Sequence, residues 1–179
     1  MKRTISIFTL FFAISLALIS CKEETKKEEQ TQEEQKQEEQ KSDLETEKGL
    51  AFTTENQSDI TTLYFDMKDA LVSDKGYHAM KIAQVMQKRV TDSEMLATIN
   101  TIAGTEDIEK QRDAFYVLSQ QMLKFVEENI TNGTVYKQYC PMAFNDTGAF
   151  WLSEEKQILN PYFGKKMLKC GSVQAEITK

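Results

Sequence analysis

Histidine is almost missing from this chain of 179 residues, and its scarcity removes several chemistries at once. His78 is the only imidazole, so a Ser–His–Asp triad would have to be built on that one residue. A zinc site of ordinary composition would want a third or fourth Cys or His beside Cys140 and Cys170, and only His78 is on offer. Thiol oxidoreductases place two cysteines as Cys-x-x-Cys at a helix start to lower one pKa, whereas these two lie thirty positions apart. Glycine-rich phosphate loops are lacking, and no basic stripe suits a phosphate backbone, so neither an enzyme nor a nucleic-acid partner is expected. Only two prolines and one tryptophan occur, and all three fall between residues 140 and 162.

The net charge of −6 is unevenly placed. Residues 22–48 hold ten Glu and one Asp against six Lys, and Leu44 is their only large apolar residue. Such a tract cannot bury enough surface to offset its ordering entropy, and it reads as an acidic tether. Ahead of it, Lys2 and Arg3 precede an apolar run from Ile5 to Ile19, too short for a comfortable membrane span and shaped like a signal peptide. The run ends in Leu18-Ile19-Ser20-Cys21, which resembles a bacterial lipobox. Residues 1–20 are thus expected to be a lipoprotein signal peptide, Cys21 the lipidated residue, and 21–55 the tether. About 34 residues of coil would reach about 30–35 Å from the bilayer. The expected location is the bacterial cell envelope, lipid-anchored at the outer membrane. Acidic residues after Cys21 leave open whether the domain faces the periplasm or the cell surface.

From Ser58 the pattern turns helical. Ile60, Leu63, Tyr64, Met67 and Leu71 form one stripe, with Ser58 as cap. After a break at Ser73–Gly76, a second stripe runs through Ala79, Ile82, Ala83, Met86 and Val90. Thr91-Asp92-Ser93-Glu94 matches a capping box ahead of Met95, Ile99 and Ile102, and Gly104 suits the C-cap. The longest helix is expected to start at Thr105 and to present Ile108, Phe115, Leu118, Met122, Phe125 and Val126, stopping before the Asn132-Gly133 turn. The fold expected is mainly α: an antiparallel four-helix bundle within residues 56–179, followed by a small Cys- and aromatic-rich segment with short β-strands. Methionines 67, 86 and 122 fall on apolar stripes and read as core fillers. The domain is expected to act as a monomer.

The C-terminal segment carries the chemistry. Val135–Tyr139 alternates and should form a strand that delivers Cys140. If the chain stays extended, Cys140 and Met142 point to one side. If Lys165–Cys170 forms a helical turn, Met167 and Cys170 share a face. Two thiolates and two thioethers make a donor set for a soft cation, Cu(I) or Ag(I). The same pair of cysteines, left over once Cys21 is lipidated, could instead be a disulfide in an oxidising compartment. That bond would stabilise the fold by about 3–4 kcal/mol. Inert buried thiols are the third reading.

Four separated stretches carry a family resemblance. Tyr139-Cys140-Pro141-Met142-Ala143-Phe144, Gly148-Ala149-Phe150-Trp151-Leu152-Ser153, Ile158-Leu159-Asn160-Pro161-Tyr162-Phe163-Gly164 and Met167-Leu168-Lys169-Cys170-Gly171 resemble the signature of a bacterial domain of unknown function. The likeness reaches upstream through Tyr64–Leu71 and Gln111–Ser119, covering about residues 56–175. That domain occurs as a lone lipoprotein and at the C-terminus of periplasmic adaptor subunits of copper/silver efflux pumps. The resemblance implies a helical fold, heavy-metal handling and an efflux adaptor as partner. Tyr139–Met142 is also similar to the Tyr-x-Cys-Pro-Met-His-Pro metal-binding segment of efflux proteins, but Ala143 and Phe144 replace its His and Pro, so that imidazole ligand is absent. The leading expectation is an envelope-anchored binder of Cu(I) or Ag(I) that uses Cys140, Met142, Met167 and Cys170. The alternative is a disulfide-stapled interaction module that docks on an efflux or envelope complex without touching metal.

Overall fold

The first helix begins a turn before its apolar stripe does. Thr54 is the cap: its hydroxyl accepts the Gln57 N–H, and the Gln57 side chain accepts the Thr54 N–H in return, closing a capping box. The expected cap, Ser58, is already inside the helix. The polar run Thr54–Gln57 is indistinguishable in composition from the tether, which is why the start was hidden. The computed structural model describes residues 49–179. The signal peptide, Cys21 and the tether through residue 48 lie outside the described residues.

Four helices follow in order: α1 (Glu55–Val72), α2 (Gly76–Met86), α3 (Ser93–Ala103) and α4 (Ile108–Asn129). Each packs on the next, and α4 returns against α1. Their stripes supply a core in which Met67, Leu71, Met86, Ile99, Phe115, Leu118 and Met122 are completely buried. Each large side chain removed from water contributes about 1.5–3 kcal/mol. Two helix starts differ from expectation. α3 is capped by Asp92, whose carboxylate accepts the Met95 N–H, rather than by Thr91. α4 begins at Ile108 with Asp107 as cap, three residues after Thr105, whose hydroxyl instead accepts the Asp107 N–H. A carboxylate facing the exposed N–H groups of a helix start outcompetes a hydroxyl at the same end.

Short antiparallel strands complete the domain. β1 (Ala51–Phe52) pairs with β2 (Ile130–Asn132), pairing Phe52 with Ile130. Residues 51–55 therefore belong to the folded domain and not to the tether. β3 (Thr134–Cys140) is the middle strand of a sheet ordered β4–β3–β5, with β4 spanning Ala149–Ser153 and β5 Ser172–Thr178. β4 lies on α4, burying Trp151 and Leu152.

A polar network fastens sheet to helices. Tyr64 stacks on Phe115 at 4.9 Å, and its hydroxyl meets Ser119 Oγ at 2.8 Å and accepts the Leu152 N–H at 3.0 Å. The Arg112 side chain, also buried, donates to the carbonyls of Leu71 and Pro161 and pairs with Asp74 at 2.7 Å. Lys68, only 2% exposed, pairs with Asp69 at 2.9 Å and donates to Ser153 Oγ. Among the described residues no helix is long and apolar enough to cross a membrane.

Candidate functional site

Pro141 decides where β3 stops. Proline has no N–H to give to a ladder and fixes its own φ, so pairing ends at Cys140 and the chain turns. Met142 then sits at φ −87°, ψ −9°, helical rather than extended. Cys140 and Met142 therefore do not share one side of a strand as expected. Cys140 is wholly buried, whereas Met142 is 46% exposed.

Cys170 lies in the segment just ahead of β5. Tyr139 pairs with Ser172 at the start of that strand, which brings the residues before Ser172 alongside the end of β3, where Cys170 meets Cys140. On its other flank Cys140 faces Ala149, a small residue that leaves room for sulfur. Gly171, at φ 143°, makes the approach workable, since a Cβ there would fall 2.9 Å from both the Trp151 ring and the Tyr139 carbonyl. The expected helical turn over Lys165–Cys170 does not form. A 3₁₀ turn covers Gly164–Lys166, Met167 breaks it at φ −144°, ψ 55°, and the Cys170 N–H donates to the Met167 carbonyl at 3.0 Å.

Asn160 holds this arrangement. Its side-chain N–H donates to the Cys170 carbonyl at 2.8 Å, its side-chain oxygen accepts the Tyr162 and Phe163 N–H groups, and its backbone N–H donates to Leu168. Sequence reasoning found only a turn at Asn160-Pro161 and missed the clamp. The available signal was a buried amide among aromatics, where an Asn must find partners for each of its polar atoms.

Both cysteines are thiols, and they are hydrogen-bonded to one another. That hydrogen bond, then burial and the electrostatic presence of Cys140, push the Cys170 thiol up to about 11, against a hydrogen bond from the Met142 backbone N–H that favours the thiolate. The Cys170 thiol is thus protonated near neutral pH. Met142 joins the pair through its backbone, Met167 through its carbonyl, and Met167 is half-buried. His78 is exposed on α2, and the helix methionines 67, 86 and 122 are buried in the core.

The surroundings are apolar and closely packed. Trp151 lies against Gly171 and edge-on to Tyr162 at 6.0 Å, and its ring N–H has no hydrogen-bond partner among the described residues. Beyond Met142 the backbone of Phe144, Asn145 and Asp146 is left-handed, with φ of 53°, 55° and 62°. A cleft of about 470 Å³ opens beside it, lined by Met142, Phe144, Phe163, Lys166, Glu109 and Asp113 among others. Among the described residues no three His, Cys, Asp or Glu side chains converge as a metal site. Met142 and Met167 meet the thiols through their backbones, and the Met142 residue also lines the cleft.

Fold and site together define a mainly helical domain whose small C-terminal sheet brings a buried thiol, Cys140, beside a half-buried one, Cys170. Residues 60–133 match the model of a family described as a protein of unknown function (DUF3347). That match runs from within α1 to the turn after β2, so it includes Tyr64, Arg112 and Ser119 and ends before Cys140. No curated protein and no solved structure matches the chain.

Proposed function

We propose that this protein is a non-enzymatic lipoprotein of the bacterial envelope, anchored through Cys21, that binds one Cu(I) or Ag(I) per domain. It would buffer the ion or pass it to a heavy-metal efflux system through an adaptor subunit, with the helices acting as an antiparallel bundle that holds the sheet. The observation that carries this reading is the approach of Cys170, just ahead of β5, to Cys140 at the end of β3. Two thiolates would supply negative charge and soft donors, and the Met142 and Met167 thioethers would complete the shell. Because Cys170 is protonated at rest, binding there would release a proton, and affinity would rise with pH.

Competition titration of the reduced protein with Cu(I) tests this reading. One ion per domain is expected, with Cys140→Ser and Cys170→Ser costing far more affinity than Met142→Leu or Met167→Leu. A double cysteine variant that binds as tightly as the parent would place the site elsewhere. The disulfide reading keeps one specific support: thiols in contact, one of them fully buried, need little movement to bond. It predicts no free thiol in the exported protein and a sharp fall in melting temperature on reduction.

A further inference from the structure

The three sulfur groups around the pair are graded in exposure. Met142 stands 46% exposed in the cleft, Cys170 is half-buried, and Cys140 is fully buried. They also differ in chemistry. A thioether carries no proton and can take a soft cation directly, whereas each thiol must first lose one. The backbone just beyond Met142 is strained: three successive non-glycine residues after Ala143 have left-handed φ, which L side chains rarely adopt. Phe144 is fixed there between the rings of Tyr116 at 5.1 Å and Tyr162 at 5.2 Å. Strain of this kind persists where the surroundings impose it, and it gathers at ligand clamps.

We infer that Met142 is the exchange ligand through which the soft cation enters and leaves, an inference that rests on reading Cys140 and Cys170 as its binding pair. The ion binds first to the Met142 sulfur in the cleft. It then forms one bond to Cys170 and one to Cys140, while the two thiol protons pass to solvent. No electron changes hands, and release to a soft-sulfur acceptor runs the same steps backwards. Met142 therefore governs rate, and the two cysteines govern affinity.

The test is stopped-flow exchange of Ag(I) on the reduced full chain, read from the fluorescence of Trp151, the only tryptophan, whose ring lies against Gly171. Loading is started with Ag(I) alone and release with a thiol chelator. Met142→Leu is expected to slow both phases by about tenfold, with the dissociation constant changed less than about threefold. Met122→Leu, a volume-conserving swap in the helical core, should leave both rates near those of the parent. Met142 is exposed, so the swap leaves the fold intact, which a matching thermal melt verifies. Parent rates in Met142→Leu, or equal slowing in both variants, would overturn the inference while leaving the binding pair standing. If the reduced parent takes up no Ag(I), the inference falls together with the reading beneath it.

Discussion

Tyr64 and Tyr162 show how single residues tie the helices to the sheet. Burial raises the pKa of both phenols, outweighing the hydrogen bonds from the Leu152 N–H and Ser119 that favour ionisation of Tyr64, and Ser119 does the same for Tyr162. The folded protein therefore keeps protons that the unfolded chain gives up above about pH 10. Their contribution to stability is complete below that pH and is lost as pH climbs toward the folded values, and Cys170 adds to the same trend. Denaturant midpoints measured from pH 8 to pH 11 should fall, and a flat profile would contradict this reading. Tyr64→Phe should reduce the slope. It should also cost about 1–3 kcal/mol at neutral pH by orphaning the Leu152 N–H. At the acid end Asp74 acts in the opposite sense. Burial raises its pKa, but the Arg112 pair and the Lys165 N–H lower it further, so its support is lost as pH falls below the usual carboxylate range. Gly164, at φ 55°, packs so tightly on Asp74 and Arg112 that no side chain fits there.

The helices were legible because a 3.6-residue stripe survives at any length beyond three turns, and all four stripes fall on the buried faces. Their ends were less so. Thr54 and Asp107 lie in polar surroundings where many residues could cap, and only the geometry chooses. β1 is two residues long, too short for any period. β5 does alternate, with Val173, Ala175 and Ile177 between polar residues, but it is mostly exposed and so lacks a strong apolar signal. At the site, the strand delivering Cys140 was readable from its alternation. The turn at Met142 was not, because the break at Pro141 competes with the extended pattern before it. Arg112 and Ser119 lie on the α4 stripe between Ile108, Phe115 and Met122, and a periodic pattern does not say that a polar residue there is buried. The strand missed at the start gives a prediction. A chain beginning at Gly49 should melt like the full-length protein. One beginning at Thr53 loses the pairing of β1 with β2 and half-buried Phe52, and should be less stable by on the order of 1–2 kcal/mol. Equal melting of the two chains would mean that β1 adds nothing.

At the scale of the whole molecule, the helical part and the thiol pair are joined through the sheet. The family match covers the helices and stops at residue 133, while both cysteines lie beyond it. What joins them is a polar network in which Tyr64 holds Leu152 and Ser119, Arg112 holds Pro161, and Tyr162 holds Phe150, fastening the sheet to the helices. The proposed lipid at Cys21 would hold this assembly at a membrane surface in an oxidising compartment, where an unprotected pair of thiols would close to a disulfide. A thiol count therefore tests the central claim most directly. Protein recovered from the membrane fraction without reductant, acid-quenched, unfolded and alkylated, should carry two free thiols, on Cys140 and Cys170. Recovery with neither thiol free would contradict the metal-binding reading and leave the disulfide-stapled module in its place.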